Sequence, residues 1–595
     1  MIKLHVPALA ALLAALTAAL PASTAYAQDS AQRAPEIATG YTEKTGVVAE
    51  KYMVASANPH ASAAGYDMLK QGGSAIDAAI ATQLVLTLVE PQSSGIGGGA
   101  FVMHFDGKRV QAYDGRETAP SAATEKLFQD ANGKPLSREA GVVGGRSTGA
   151  PGVLRMLELA HKEHGKLPWA TLFGPAIKLA ENGFAVSPRL NGLLTWDKYI
   201  SRDPVAAAYF YGPDKKPWPV GYVLKNPELA RTLREVAKGG ADAFYKGRIA
   251  SDIAAKVASH PSNPGLLTAA DIGAYQAKRR DPVCSDYKTW TVCGMPPPSS
   301  GGIAIAQMLG VLETKGIERY APVNGQLGVE AIHLFSEAGR LAYADRARYV
   351  ADTDFVPLPG KGAAALLDKR YLQQRASLIG ERSMGSARFG VPETVNVAWG
   401  ADNAIESPAT SHLSVADAYG NVISMTTSVE DAFGSRQMVD GFILNNQLTD
   451  FSFESADENG PIANRVQAGK RPRSAMSPTL VFDKASGKLV LSTGSPGGSA
   501  IINYVAKVLV GTLDWKLDVQ QAISLPNFGS RNGPTELEAA RVAPSVVEAL
   551  KARGHEVRQY EQNSGLQGIM RITRNGKEVW FGGADPRREG VVRGD

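Results

Sequence analysis

Cysteine is almost missing from this chain: among 595 residues there are two, Cys284 and Cys293. Two thiols are too few for a structural zinc site, and no histidine pair sits at ligand spacing, so no metal is expected. An excess of either charge is also lacking. Lys and Arg number 63 against 58 Asp and Glu, a net charge of +5, which leaves no footprint for nucleic acid. The densest basic cluster, Lys470-Arg471-Pro472-Arg473, is short and reads as a solvated loop. No internal repeat, heptad or low-complexity segment is found, which excludes solenoids and coiled coils. Past the N-terminus no apolar run is long enough to span a bilayer, so no membrane span is expected in the mature protein. What remains is ordinary globular composition, 44% hydrophobic and 20% charged, with length for a large core or two domains.

The N-terminus is specific. Lys3 is followed by an apolar run from Val6 to Leu20, then Pro21 and the small-x-small pattern Ala25-Tyr26-Ala27. This is the layout of a secretory signal peptide over 1–27, with the mature chain starting at Gln28 and a periplasmic or secreted destination. Cys284 and Cys293 flank a short hairpin turning at Lys288-Thr289, which sets them face to face. In an oxidising compartment they can form a disulfide; two free buried thiols fit the same spacing.

Residues 28 to about 50 are polar and aperiodic and read as an arm. Ser56-Ala57-Asn58-Pro59 starts a helix that ends at Gly72-Gly73, and Ser74 caps a second, apolar helix through Val89. The run Ser93 to Gly99 has no Lys-Ser/Thr after it, so it reads as a buried helix-to-strand connection rather than a phosphate loop. Residues 150–275 are mostly helical, helices resume from Ile303 through Val350, and 360–400 read as a surface connection. At Thr410 the texture changes to strands: His412–Ala416, a turn at Tyr419-Gly420-Asn421, and Val422–Ser428. Further strands are expected at Gly441–Asn445, Thr479–Phe482 and Lys488–Thr493, and a helix from about Ser499 to Gly511. Helices flanking a strand-rich centre argue for layered α/β or α+β architecture.

Several runs carry more than secondary structure. They are Gly73 to Ala79, Glu90 to Gly99, Asp114 to Pro120, Pro296 to Gly302, Thr410 to Val415 with Gly420-Asn421 and Thr426 to Gly434, Leu444 to Ser452, Arg471 to Thr479, and Thr493 to Gly498. In this order they resemble the γ-glutamyltransferase (γ-glutamyltranspeptidase, glutathione hydrolase) family over nearly the whole mature chain. The resemblance implies an α+β N-terminal-nucleophile hydrolase, a four-layer αββα sandwich whose precursor is cut between Ala409 and Thr410. The products would be a large subunit, 28–409, and a small subunit, 410–595, held as a heterodimer.

The chemistry of such a cut can be argued from the residue. A Thr hydroxyl is a poor nucleophile at neutral pH and needs a base. Freeing the α-amine of Thr410 puts a base on the same residue, titrating near pH ~8. His412, two residues along the strand, reads as structural. Gly497 and Gly498 follow a strand and open a helix, where N–H groups can stabilise an oxyanion; the resemblance gives them that role. It also implies that Ser428, at the place of a family Thr, assists Thr410. Arg116 and Ser474 would hold an α-carboxylate, and Glu430, Gln447 and Asp450 an α-ammonium.

Two positions depart from the common pattern: Glu430 stands for Asn and Ala475 for a second Ser. The stretch Phe451 to Ala468, where some members carry a lid, holds no Tyr. The implied reaction is attack of Thr410 on γ-glutamyl amides such as glutathione, with water, amino acids or peptides as acceptors and no cofactor. The alternative on the same fold is a cephalosporin (glutaryl) acylase, ranked second because a glutaryl group brings no ammonium to the acidic cluster. A different class is an unprocessed secreted binding protein.

Overall fold

The computed structural model describes residues 40–392, 399–404, 406–407 and 409–595. The signal peptide read over 1–27, the expected start at Gln28 and most of the N-terminal arm lie outside them. The end of that arm is not an arm: Val47–Ala49 forms a strand paired with Gly582 to Trp580.

Local chemistry fixes the first helices. Asn58 accepts from the His60 N–H and starts Pro59–Lys70, with Pro at its first position. Ser74 accepts from the Asp77 N–H while Asp77 accepts from the Ser74 N–H, a reciprocal cap that starts Ala75–Val89. Every residue of that second helix is buried, as a helix with apolar residues on all its faces requires.

Two seven-stranded sheets form the centre, all their pairs antiparallel. One holds, in spatial order, Val591–Gly594, Met53–Ser56, Ala409–Ala416, Val422–Glu430, Gly99–Phe105, Val110–Gly115 and Lys278–Arg280. The other holds Val47–Ala49, Lys577–Ala584, Gln567–Arg574, Leu489–Gly494, Thr479–Asp483, Trp290–Gly294 and Val283–Tyr287. Period-2 alternation assigns their faces. Val54, Val102, Leu413 and Val415 pack in one core with Leu84 and Leu88 of the capped helix. Met53, Phe101 and Met103 pack in a second core with Leu480, Leu491 and Ile569 of the other sheet and with Ile305, Leu334 and Val505 of outer helices. The layers are therefore helix, sheet, sheet, helix, the expected αββα sandwich.

Beside these apolar contacts the two sheets also meet through polar ones. Ser424 donates to Thr493 O at 2.9 Å, and Ser492 donates to Ile423 O at 2.9 Å. The alternating polar positions of Ala409–Ala416 thus face a second sheet rather than water; all eight residues are buried.

Cys284 and Cys293 lie directly opposite in their hairpin and are joined, with S–S 2.05 Å. Two readings need correction. The 360–400 connection carries the helices Ala363–Leu366 and Lys369–Ser377, whose Leu366, Tyr371 and Leu372 pack on Ile303; residues 393–398 lie outside the described chain. Gly441–Asn445 is strand only at Phe442–Ile443, because Gly441 turns at φ +85° and Asn445 leaves to bond Gly97 O at 2.8 Å through Nδ2. Among the described residues no helix is long and apolar enough to cross a membrane.

Candidate active site

Thr410 sits in the strand Ala409–Ala416, one layer inside the molecule and 2% exposed. Its ladder with Val422–Glu430 is irregular at one place. Ala409 pairs with Glu430 and Thr410 with Ser428, so the partner strand carries an extra residue, Val429, opposite the Ala409–Thr410 peptide. Glu430 takes up the bulge with φ +85°, a left-handed conformation uncommon for a non-glycine residue. The bulge brings one hydroxyl to the peptide. Ser428 Oγ donates to Ala409 O at 2.7 Å and accepts from Thr410 Oγ1 at 3.2 Å and from the Glu430 N–H at 2.8 Å. The Thr410 carbonyl accepts from Arg588 at 3.1 Å. Gly98 allows this approach: a Cβ there would lie 2.1 Å from Ser428 O.

His412 is spoken for elsewhere. Its ring nitrogens meet Thr426 Oγ1 at 2.9 Å and Ser414 Oγ at 3.2 Å, and the ring lies over Gly494. Burial holds its imidazole down at about 3, so it is neutral. The structural reading of His412 stands.

Gly497 and Gly498 have φ of +134° and +55° and open a 3-10 turn that continues into the helix Ile501–Leu513. The chain just before Thr410 lies on this turn: a Cβ on Gly498 would be 2.5 Å from Glu406 O and 2.6 Å from Ser407 O. The same segment is tied down by charge. The Ser407 N–H donates to Glu430 Oε1 at 2.6 Å, and Arg138 bonds both Ser407 Oγ and, at 3.1 Å, Glu430. Glu406 is ion-paired with Arg346, and Asp402 with Arg473 at 2.8 Å.

The acidic side chains converge beside this segment. Gln447 and Asp450 lie in one 3-10 turn, and Gln447 Nε2 donates to Asp450 Oδ2 at 2.9 Å. Asn446 donates to Glu430 Oε2 at 2.5 Å. Burial first, and then the Asp450 charge, push the Glu430 carboxyl well above its ordinary range, with Arg138 opposing. Burial likewise raises Asp450, with Arg116 opposing. Among the described residues no N–H or hydroxyl reaches the buried Asp450 Oδ1 or Gln447 Oε1, and the raised Glu430 carboxyl keeps its proton and shares it with Asp450. An unfilled Gln447 acceptor beside a Glu430–Asp450 pair that shares one proton fits a cationic donor such as an ammonium, which would let both carboxyls ionise.

Arg116 is wholly buried and largely committed. It donates to Asp450 Oδ2 at 2.5 Å, Arg473 O at 2.7 Å and Pro472 O at 3.1 Å. Among the described residues its NH1 makes no hydrogen bond, and it lies 3.9 Å from Glu117, a carboxyl that burial raises to about 8. Ser474 is buried beside it: Ser474 Oγ accepts from the Met476 N–H at 3.1 Å and Ser474 O accepts from Ser300 Oγ at 2.7 Å. Ala475 packs in the apolar core between Met476 and Leu480.

The reading of Lys470–Arg473 as a solvated loop is wrong. Lys470, Arg471 and Arg473 are 0%, 3% and 0% exposed. Lys470 donates to Ala463 O at 2.6 Å, Arg471 pairs with Asp114 at 3.3 Å and Arg473 with Asp402. A short basic run can be neutralised by carboxylates distant in sequence, and composition does not reveal this. Arg138, Arg346 and Glu406 also escaped notice, because each acts through a partner far along the chain.

With this geometry in place, the comparisons with known proteins decide the family. The family model described as Gamma-glutamyltranspeptidase matches residues 61–594. The chain belongs to that family. Within the gamma-glutamyltranspeptidase family, the glutathione hydrolase proenzyme of Escherichia coli (strain K12) is 35% identical over 570 residues, 94% of each chain. The acylase ACY 1 proenzyme of Pseudomonas sp. (strain SE83) is 34% identical over 570 residues, 94% of this chain and 96% of that one. Among solved structures, a cephalosporin acylase from Bacillus halodurans matches with a TM-score of 0.78 at 27% identity, covering 95% of this chain and 98% of the other. The family fixes an N-terminal-nucleophile hydrolase fold and a hydrolase/transferase enzyme, and it lends no support to a non-catalytic binding protein.

Proposed function

We propose that the chain is a γ-glutamyl hydrolase/transferase that cuts itself between Ala409 and Thr410 and then uses Thr410 as its nucleophile. The observation that carries this is the single Ser428 hydroxyl joining Thr410 Oγ1 to the Ala409 carbonyl. In the first stage Thr410 Oγ attacks the Ala409 carbonyl carbon, and the peptide C–N bond breaks as the nitrogen takes a proton. Water hydrolyses the resulting ester and leaves a carboxylate on Ala409 and a free α-amine on Thr410. That amine, titrating near ~8, then serves as base for Thr410 Oγ. In the second stage Thr410 takes the acyl group of a γ-glutamyl amide such as glutathione, the leaving amine is protonated, and water or an amino acid or peptide receives the acyl group.

Ser428 donates to the oxyanion that forms at Ala409 during cutting, and the N–H groups at Gly497-Gly498 stabilise those formed on the substrate. Asp450, Gln447 and Glu430 receive the substrate ammonium; the unfilled Gln447 Oε1 and the carboxyl pair beside it support this. Arg116 and Ser474 border the α-carboxylate. Subunits 28–409 and 410–595 remain together, because the strands of both interleave in each sheet. The leader-like N-terminus and the Cys284–Cys293 disulfide support action in the periplasm or outside the cell.

A second reading, a glutaryl acylase, is favoured by one observation: Arg138 pairs with Glu430 and so supplies the positive charge that a glutaryl substrate lacks. The test is expression beside Thr410→Ala. Two fragments, the smaller beginning Thr-Ser-His-Leu and absent from the variant, are expected, with turnover of glutathione above that of a glutaryl amide. A single intact chain in both preparations rejects the mechanism; faster glutaryl turnover reverses the ranking.

A further inference from the structure

The basic run that reads as a surface loop hides half of a buried guanidinium pair. Arg473 and Arg346 are 0% and 5% exposed, and Arg473 NH1 donates to Arg346 O at 3.4 Å. Arg346 also donates to Ser300 Oγ at 2.7 Å, and Ser300 Oγ in turn donates to Ser474 O. The pair therefore adjoins the proposed substrate pocket. Two neighbouring buried cations need anions. Among the described residues the carboxylates in ion-pair range of them are Glu406, which meets both, and Asp402, 2.8 Å from Arg473.

Both carboxylates come from the segment that ends at Ala409. That segment occupies ground a substrate must use, since its Glu406 and Ser407 carbonyls press on the Gly498 turn and its Ser407 N–H occupies Glu430. Turnover at Thr410 therefore requires Glu406 and Ser407 to withdraw, and their withdrawal takes from the two guanidiniums the one carboxylate that meets both. A buried charge left without a partner is strongly destabilising. The chain itself shows which ligand suits the vacated place: a carboxylate on a short flexible tether.

We propose that Arg346 and Arg473 form an anion subsite, filled by Glu406 in the uncut chain and by a carboxylate of the substrate in the cut enzyme. This rests on the reading that the chain is cut at Thr410. The one free carboxylate of a γ-glutamyl group is already placed at Arg116 and Ser474, so the carboxylate here is that of the leaving group. Cutting then does two things at once: it frees the nucleophile and unmasks a carboxylate receptor beside it.

The test begins in the uncut Thr410→Ala chain. Glu406→Ala in that background should lower the melting temperature, and acetate should restore it, while acetate leaves the Glu406-bearing chain unmoved. Absence of any acetate response overturns the proposal, whether or not the wild-type chain cuts itself. In the cut enzyme, Arg473→Leu should raise KM for γ-glutamylglycine at least tenfold, with Arg473→Lys recovering part of the loss. The rise should be confined to γ-glutamylglycine, whose leaving group carries a carboxylate; an equal rise for γ-glutamyl-p-nitroanilide, whose leaving group carries none, overturns the proposal. Unchanged KM for both substrates overturns the proposal. If Arg473→Leu is not recovered as folded protein, the acetate experiment alone decides. A wild-type chain that never cuts rejects the proposed function and leaves the acetate result to stand by itself.

Discussion

The Ser428 hydroxyl donates to the carbonyl oxygen of Ala409 at 2.7 Å, across a β-bulge that places it there. A donor on a carbonyl that is to become tetrahedral stabilises the developing oxyanion, and one such donor is worth about 10²–10³ in rate. Ser428→Ala is expected to slow self-cleavage by that order, while Ser428→Thr, which keeps the hydroxyl, cuts at a comparable rate. The time course of fragment appearance on a denaturing gel measures both. Equal rates for wild type and Ser428→Ala would remove Ser428 from the cutting step.

Gly498 is constrained twice, by φ +55° and by the Glu406 and Ser407 carbonyls that a Cβ would meet at 2.5 and 2.6 Å. Those contacts are to backbone, which cannot swing aside like a side chain. Gly498→Ala is expected to displace the segment before Thr410 and to leave the chain uncut for hours under conditions where wild type is fully cut. Rapid cutting of the variant would show that the turn yields.

Much of this was legible in the sequence, and the reason differs from place to place. The helix Ala75–Val89 is legible because its start is local: Ser74 and Asp77 cap each other within one turn. The strands around Thr410 are legible from alternation, and Cys284 opposite Cys293 from the hairpin register. Arg473 is not legible, because its partner Asp402 is remote in sequence and only the fold unites them. Nor is the setting of His412: alternation predicts a polar face, but the polar face meets another sheet instead of water.

That setting has a consequence for acid stability. Burial holds His412 at about 3 in the folded chain against 6.5 for an ordinary imidazole. The folded pKa is depressed, so the unfolded chain takes up the proton first. The stabilisation is complete above about pH 6.5 and is lost progressively as pH falls towards 3. Wild type is expected to lose more melting temperature between pH 7 and pH 4.5 than His412→Gln loses over the same interval. Identical losses would mean that His412 does not contribute to the acid sensitivity.

Arg138 decides how much of the Glu430 charge is left for a substrate. Its guanidinium meets Glu430 Oε1 at 3.1 Å, and the same oxygen accepts from Ser407. Once the segment carrying Ser407 withdraws, Arg138 remains as a cation beside a carboxylate proposed to face an ammonium. It competes with an ammonium-bearing acyl group and supports one without. Specificity is a difference between two affinities, so removing the cation should help one substrate and harm the other. Arg138→Gln is expected to raise the ratio of kcat/KM for γ-glutamyl over glutaryl p-nitroanilide by roughly tenfold, the order of one charged hydrogen bond. Arg138→Lys, which keeps the charge, is expected to leave the ratio near wild type. A fall in the ratio on Arg138→Gln would mean that Arg138 holds the γ-glutamyl group, and that Glu430 acts by orienting Arg138 rather than by meeting the ammonium.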